Sequence, residues 1–170
     1  MNHFSFIFRW IIPCLHLLAI ASSCSAQKQD FDAMVDELLE FTVDTLHAGP
    51  LSGQLDNYVL LDAREKEEYA VSHLPGAIWV GYSDFSAERV QDFPRNAKML
   101  VYCSVGYRSE KVGEQLKALG FSSVHNLAGG IFDWKNHGLE VVDSTGTTEK
   151  VHPYNALWGR WIFEGVKAEE

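Results

Sequence analysis

The sequence contains few cysteines and no cluster of basic residues. Its 170 residues include three cysteines, Cys14, Cys24 and Cys103, and the first two lie within the leading 24 positions. A disulfide framework is therefore not expected in the rest of the chain. The formal net charge is −9. Nucleic-acid binding is not expected either, because it depends on basic side chains that neutralise phosphates, and the acidity indicates a solvated surface.

The chain also lacks a clean apolar run near its N-terminus that could cross a membrane. Residues 10–20 are apolar but are interrupted by Pro13 and His16, and they fall short of the roughly 20 residues that a transmembrane helix needs. Arg9 precedes this stretch, and small residues follow it as far as Ala26. This order is typical of an export signal, so we predict a signal peptide over residues 1–26.

Two cleavage sites are compatible with this signal. In the first, a signal peptidase cuts after Ala26. In the second, Ala21-Ser22-Ser23-Cys24 resembles a bacterial lipobox, although leucine is commoner where Ala21 stands, and Cys24 becomes the lipidated first residue. We favour the lipoprotein over simple cleavage and over an uncleaved membrane anchor. Every alternative predicts an exported domain, periplasmic or attached by lipid to a bacterial membrane.

Beyond the signal, short apolar runs alternate with helical patterns. The runs cover residues 58–61, 77–80, 99–102 and 124–127, and residues 42–43 can add an edge strand. Apolar residues recur at helical spacing over residues 30–41, 65–71 and 110–119. Apolar runs without polar alternation are typical of strands buried on both faces. We therefore predict an α/β domain over residues 30–142, with helices on both faces of a mostly parallel sheet.

A polar segment and an aromatic tail follow the predicted domain. Residues 143–150 are polar and rich in Gly and Thr, and we predict a linker there. Tyr154, Trp158 and Trp161 recur at helical spacing and predict a last helix, within residues 143–170, that packs on the domain. The alternative is an aromatic patch that binds a sugar or a partner.

The most informative segment surrounds Cys103. An apolar strand ends at this cysteine, a short loop containing Gly106 and Arg108 follows, and a helix is predicted to begin near Ser109. Ligands of open parallel sheets bind at the carboxyl ends of strands. Loop and helix N–H groups that converge there can hold an anion, and their field favours a thiolate over a thiol. The alternative is a buried core thiol, but the residues around Cys103 favour a nucleophile.

Four ordered motifs make the segment from about Tyr58 to Leu139 resemble a single-domain rhodanese. The first is Leu61-Asp62-Ala63-Arg64 followed by Glu68-Tyr69, the second is His73-Leu74-Pro75-Gly76-Ala77, the third is Cys103-Ser104-Val105-Gly106-Tyr107-Arg108, and the fourth is Asn126-Leu127-Ala128-Gly129-Gly130-Ile131 with Trp134. One departure is Ser72, where glycine often precedes the histidine. The resemblance implies a three-layer domain with a central five-stranded, mostly parallel sheet.

The length of the cysteine loop separates two branches of this fold. Four residues lie between Cys103 and Arg108, which gives a loop of six residues. Sulfurtransferases of the rhodanese type are similar to this, whereas the related dual-specificity phosphatases carry one residue more to accommodate a phosphate. The resemblance therefore argues against phosphatase activity.

The resemblance implies a two-step sulfur transfer. The thiolate of Cys103 attacks the outer sulfur of a donor such as thiosulfate, and a thiol or cyanide acceptor then takes that sulfur from the Cys103 persulfide. The backbone from Ser104 through Val105, Gly106, Tyr107 and Arg108 to Ser109 is expected to hold the persulfide charge, while the Arg108 side chain binds the donor or braces the loop. Neither a metal nor another cofactor is expected, and the chain is predicted to be a monomer.

Four further polar residues receive mainly structural roles. Asp62 and Arg64 follow a predicted strand near the site, and we expect an ion pair that supports neighbouring loops, with substrate contact as the alternative. His73 and His125 have no partner at the spacing of metal ligands.

Two other functions remain open: a persulfide carrier or redox-sensing module with little turnover, and an interaction domain without catalysis.

Overall fold

The structure, a computed structural model, describes residues 26–168. Cys24 and nearly all of the predicted signal peptide lie outside the described residues, so export and lipidation stay predictions. Over residues 26–168, no helix combines the length and apolar character needed to span a bilayer.

A five-stranded sheet forms the centre of the domain. Its strands run in the order β1-β5-β4-β2-β3, and every pairing is parallel. The strands are β1 (Asp44–Leu46), β2 (Val59–Asp62), β3 (Ile78–Trp79), β4 (Lys98–Tyr102) and β5 (Ser123–Leu127). The predicted parallel sheet is confirmed, with four of its strands placed to within a residue or two. The predicted edge strand corresponds to β1, which begins at Asp44, just after the predicted residues 42–43.

Helices cover both faces of this sheet. The helices are α1 (including residues 26–38), α2 (Ala48–Leu51), α3 (Lys66–Val71), α4 (Tyr107–Ala118) and α5 (Gly130–Asn136). Alternate residues of β4 belong to different layers. Leu100 and Tyr102 pack in one cluster with α1, α2 and α5, whereas Met99 and Val101 pack in another with α4. The structure thus confirms the three-layer arrangement.

Helix α4 approaches the sheet closely because of a small residue on its buried face. A Cβ atom at Gly113 would lie 3.0 Å from the side chain of Val43, so a larger residue would require Val43 or the helix to shift. Val112 and Leu116 are fully buried beside it. The helix begins at Tyr107, two residues before the predicted start near Ser109, and this places its first turn directly behind the cysteine loop.

The C-terminal region differs from the predicted linker and helix. Strand β6 (Val141–Asp143) pairs antiparallel with β7 (Gly146–Thr148), and β8 (Lys150–Val151) pairs with β9 (Val166–Lys167). The Asp143 side chain accepts a hydrogen bond of 2.7 Å from the Thr145 amide, and this bond supports a turn within the polar segment.

The aromatic tail packs on the domain mainly without helical structure. Its helix, α6 (Ala156–Gly159), is a single turn, with the Asn155 side chain accepting from the Trp158 amide at 3.0 Å. The ring of Phe31 lies 5.8 Å from that of Trp161 and 6.2 Å from that of Phe163. Aromatic packing against α1 therefore holds this segment on the domain, although the helical periodicity was a poor guide to its backbone.

Candidate active site

Cys103 lies immediately after β4, at the carboxyl end of the sheet. Its residue surface is 1 % exposed. The Gly106 amide donates to Cys103 Sγ across 3.2 Å, so the loop folds back over its own cysteine. Gly106 has a φ of 110°, which glycine adopts without a side-chain clash, and it directly precedes α4. The sulfur is therefore bonded by one loop amide and lies next to the start of that helix, where the first N–H groups have no partner within the helix.

A buried side-chain pair holds the Gly106 end of this loop. The Asn126 side-chain amide donates to the Gly106 carbonyl at 3.0 Å. The Ser109 hydroxyl lies 2.7 Å from Asn126 Oδ1 and 3.0 Å from the same carbonyl. Ser109 is thus placed behind the loop rather than in contact with the cleft. Asn126 was not among the predicted site residues, although it opens one of the four motifs.

The other end of the loop is held by the N-terminus of α5. The amides of Ile131 and Phe132 donate to the carbonyls of Cys103 and Ser104 at 2.9 and 3.2 Å. Gly130 makes this approach possible, since a Cβ atom there would overlap the Cys103 carbonyl oxygen and lie 2.7 Å from that of Ser104. The loop is therefore held by side-chain hydrogen bonds at its Gly106 end and by backbone hydrogen bonds at its Cys103 end.

Arg108 is paired with the carboxylate of Glu68, which was not among the predicted site residues. Its Nη1 atom donates to Glu68 Oε2 at 2.6 Å, and its Nη2 atom donates to Glu68 Oε1 at 2.8 Å. Nη2 also lies 2.9 Å from the Ser104 hydroxyl, which bonds the same carboxylate. Paired, two-point contacts of this kind fix a guanidinium firmly. Of the two roles expected for Arg108, the geometry favours bracing the loop.

Glu68 is placed for this contact by α3. Its side chain accepts from the Glu65 amide, and Glu65 in turn caps the start of the same helix. Burial alone would raise the pKa of Glu68, but hydrogen bonds and charge from Arg108, followed by the charge of Arg64, outweigh burial and hold that pKa below its ordinary value. Glu68 is therefore expected to be an anion when the loop is intact.

We expect Glu68→Gln to weaken the domain most at neutral pH. The folded-state pKa is the lower one, so the carboxylate adds stability above its unfolded pKa of about 4.3, and this is lost as the pH falls through the folded pKa. Urea unfolding from pH 7 to pH 3 would measure the difference. Glu67→Gln, at an exposed position of α3, is the control. A Glu68→Gln deficit that stayed constant across this pH range would contradict the expectation.

Asp62 and Arg64 form a fully buried pair beside the site. Their side chains are both 0 % exposed, with Arg64 Nη2 2.6 Å from Asp62 Oδ2. The same nitrogen donates to the Ser72 carbonyl at 2.6 Å. The Tyr102 hydroxyl accepts from the Leu74 amide nearby, so the cluster connects β2 and β4 to the motif around His73. Neither residue lines the cleft at Cys103, in agreement with the structural role expected.

The cleft in front of Cys103 has a volume of about 330 Å³. Ser104, Val105, Tyr107 and Arg108 line it together with the cysteine. It is also lined by Leu38 of α1, by two residues of the tail, Tyr154 and Trp158, and by Glu65, Tyr82 and Ser83. The helical spacing of its aromatic residues predicts that the tail packs on the domain, but no local pattern in the sequence indicates that it returns to this cleft.

The fold and this site define a class: parallel α/β domains with a cysteine loop at the carboxyl edge of the sheet. The profile of the rhodanese-like domain family matches residues 46–137, which is more than half of the chain. The chain belongs to that family. No group of three or more His, Cys, Asp or Glu side chains that could hold a metal ion occurs within residues 26–168.

Three curated relatives are similar to this chain. A sulfurtransferase of Allochromatium vinosum is 31 % identical over 54 % of the chain and 84 % of its own length. The thiosulfate:glutathione sulfurtransferase of Saccharomyces cerevisiae is 30 % identical over 51 % and 71 %. A candidate sulfur carrier protein of Bacillus subtilis is 33 % identical over 44 % of this chain, and the match spans only 40 % of that protein. Their names support sulfur transfer as the general chemistry.

A solved structure agrees with this grouping. The rhodanese-related protein of Thermoplasma volcanium superposes with a TM-score of 0.52 at 30 % identity, covering 58 % of this chain and 97 % of that one. The superposition therefore includes nearly all of that protein and a little more than half of this chain.

Proposed function

We propose that this protein is a sulfurtransferase that carries a sulfane sulfur atom as a persulfide on Cys103. The observation that carries the proposal is the position of Cys103 Sγ, 3.2 Å from the Gly106 amide in a loop that continues into α4. Backbone N–H groups held in this way stabilise a negative charge on the terminal sulfur without having to reorganise. The family membership and the names of the relatives support the same chemistry.

The first half-reaction loads the cysteine. The Cys103 thiolate attacks the outer sulfur of thiosulfate, a bond forms between the two sulfurs, and the bond from that outer sulfur to the sulfonate sulfur breaks. Sulfite leaves with the electron pair of the broken bond, and the negative charge of the thiolate passes to the terminal sulfur of the persulfide. No external oxidant or reductant is required, because one sulfur–sulfur bond forms as another breaks.

The second half-reaction discharges it. A thiolate acceptor attacks the terminal persulfide sulfur and becomes a persulfide itself, while the Cys103 thiolate leaves; cyanide in the same step gives thiocyanate. Cys103 is the only cysteine within residues 26–168. No second thiol of that part of the chain can resolve the persulfide, and the acceptor in this proposal is a separate molecule.

The test is intact-mass measurement after incubation with thiosulfate. We expect an added mass of one sulfur atom on the protein, its loss when cyanide is added, and release of thiocyanate. Cys103→Ser removes the nucleophile and is expected to abolish all three. A folded protein that acquires no sulfur from any sulfane donor would overturn the proposal. Loading without discharge to cyanide or small thiols would instead identify the persulfide carrier that the Bacillus subtilis relative's name suggests.

A further inference from the structure

The cleft at Cys103 is poor in free positive charge. Among the described residues that line it, Arg108 is the one cation, and Glu65 contributes a carboxylate. Both terminal nitrogens of Arg108 are already within 2.9 Å of Glu68 or Ser104. A doubly charged donor that enters this cleft would lose water without gaining an unpaired cation, and such burial is unfavourable.

Four aromatic side chains form a large part of the remaining wall. Tyr82, Tyr107, Tyr154 and Trp158 all line the cleft, together with Leu38. The guanidinium carbon of Arg108 lies 4.9 Å from the centre of the Tyr154 ring, so one face of its delocalised charge is covered as well. A lining of this kind favours an apolar group beside the reacting sulfur.

The backbone of the C-terminal tail is constrained around Tyr154 and Trp158. Tyr154 has a φ of 65°, an unusual value for a bulky residue, and its amide donates to His152 Nδ1 at 3.0 Å. The Asn155 cap then holds the turn that carries Trp158. The family match ends at residue 137, so both residues lie outside the shared domain. Backbone strain next to a candidate site is consistent with a functional constraint.

The cleft is also larger than thiosulfate requires. Thiosulfate has five heavy atoms and would occupy about 150 Å³ if each took roughly the volume of a water molecule in the liquid. The cleft has about 330 Å³. Room for an additional ring therefore remains beside the sulfur.

We propose that the cleft selects sulfane donors that carry an apolar, preferably aromatic group and a single negative charge, with Tyr154 and Trp158 as specificity-determining residues. This inference rests on the proposed function and names the donor class for the same site. With benzenethiosulfonate, the Cys103 thiolate attacks the outer sulfur, the bond to the sulfonyl sulfur breaks, and benzenesulfinate leaves with its electron pair. The phenyl ring of the donor would lie against the tail.

The test compares kcat/KM for benzenethiosulfonate with kcat/KM for thiosulfate, using cyanide as acceptor. Intrinsic differences in donor reactivity cancel when the ratio of the two values is compared between variants. Tyr154→Ala should lower this ratio roughly five- to tenfold, because it removes a ring contact and uncovers Arg108. Leu157→Ala is the control, since Leu157 is 63 % exposed on the same turn and does not line the cleft.

Two further variants distinguish loss of a ring contact from misfolding. Tyr154→Phe keeps the ring and should preserve the wild-type ratio, whereas Trp158→Leu removes the second ring and should lower it in the same direction as Tyr154→Ala. Equal ratios in wild type, Tyr154→Ala and Trp158→Leu, with sulfur loading intact, would overturn the inference but leave the proposed function standing. If neither thiosulfate nor benzenethiosulfonate loaded sulfur onto the folded protein, the proposed function itself would be overturned.

Discussion

Replacing Asp62 with alanine is expected to destabilise the domain by about 3–5 kcal/mol, because it leaves the buried Arg64 cation without its counter-ion. Both side chains are fully buried, and Arg64 Nε and Nη2 bond the carboxylate at 3.0 and 2.6 Å. Burial would lower the pKa of Arg64, but Asp62 outweighs it and raises that pKa, so the guanidinium stays charged. Such a loss is a large part of a stability that is typically about 5–15 kcal/mol.

Urea unfolding followed by tryptophan fluorescence would measure this loss, with Asp84→Ala as the matched control. Asp84 pairs with Arg89 at 2.7 Å on the surface, where solvent screens the charges, and we expect its removal to change stability far less. Asp62→Ala combined with Arg64→Leu should recover much of the lost stability, since no unpaired charge remains. Similar losses for Asp62→Ala and Asp84→Ala would contradict the role given to the buried pair.

Gly130→Ala is expected to displace the cysteine loop and to cost about 3 kcal/mol of stability. The added methyl group would overlap the Cys103 carbonyl oxygen, and Gly130 has a φ of 55°, which an L side chain also disfavours. Because small displacements of a reacting group reduce rates steeply, we expect sulfur loading by the folded variant to fall about a hundredfold. Intact mass against time, at a temperature where the variant is folded, would measure it.

Gly138→Ala separates the clash from the backbone effect. Gly138 has a φ of 69°, but a Cβ atom there would meet nothing within 4 Å. It should therefore cost only the conformational penalty of about 1–2 kcal/mol and leave sulfur loading unchanged. If the two alanine variants loaded sulfur at the same rate, the close approach of α5 to the loop would not control the position of Cys103.

The local features of the sequence were sufficient to predict the sheet and the position of the candidate nucleophile. Strand β4 and the residues up to Arg108 form one continuous segment, so the order apolar strand, cysteine, glycine and helix can be read without knowing any distant contact. Strands buried on both faces have an unmistakable apolar composition. The predicted positions of Cys103 and its loop consequently agree with the structure, although α4 begins earlier than expected.

The partners of that loop required the tertiary structure. Glu68 lies 40 positions before Arg108, and Asn126 lies 20 positions after Gly106, so no spacing rule connects either pair. The polar composition of residues 143–150 suggested a linker, but pairing between β6 and β7 determines the backbone there. Strand pairing depends on a neighbouring strand as much as on composition, which explains why that prediction failed.

The sequence by itself determined the family, the parallel α/β domain and the cysteine at its carboxyl edge, because each depends on contiguous residues and their periodicity. Only the tertiary structure decided that Arg108 is held by Glu68 and that Tyr154 and Trp158 return to the cleft. These features arise from contacts between segments far apart in the chain, and their geometry follows from packing rather than from local propensity.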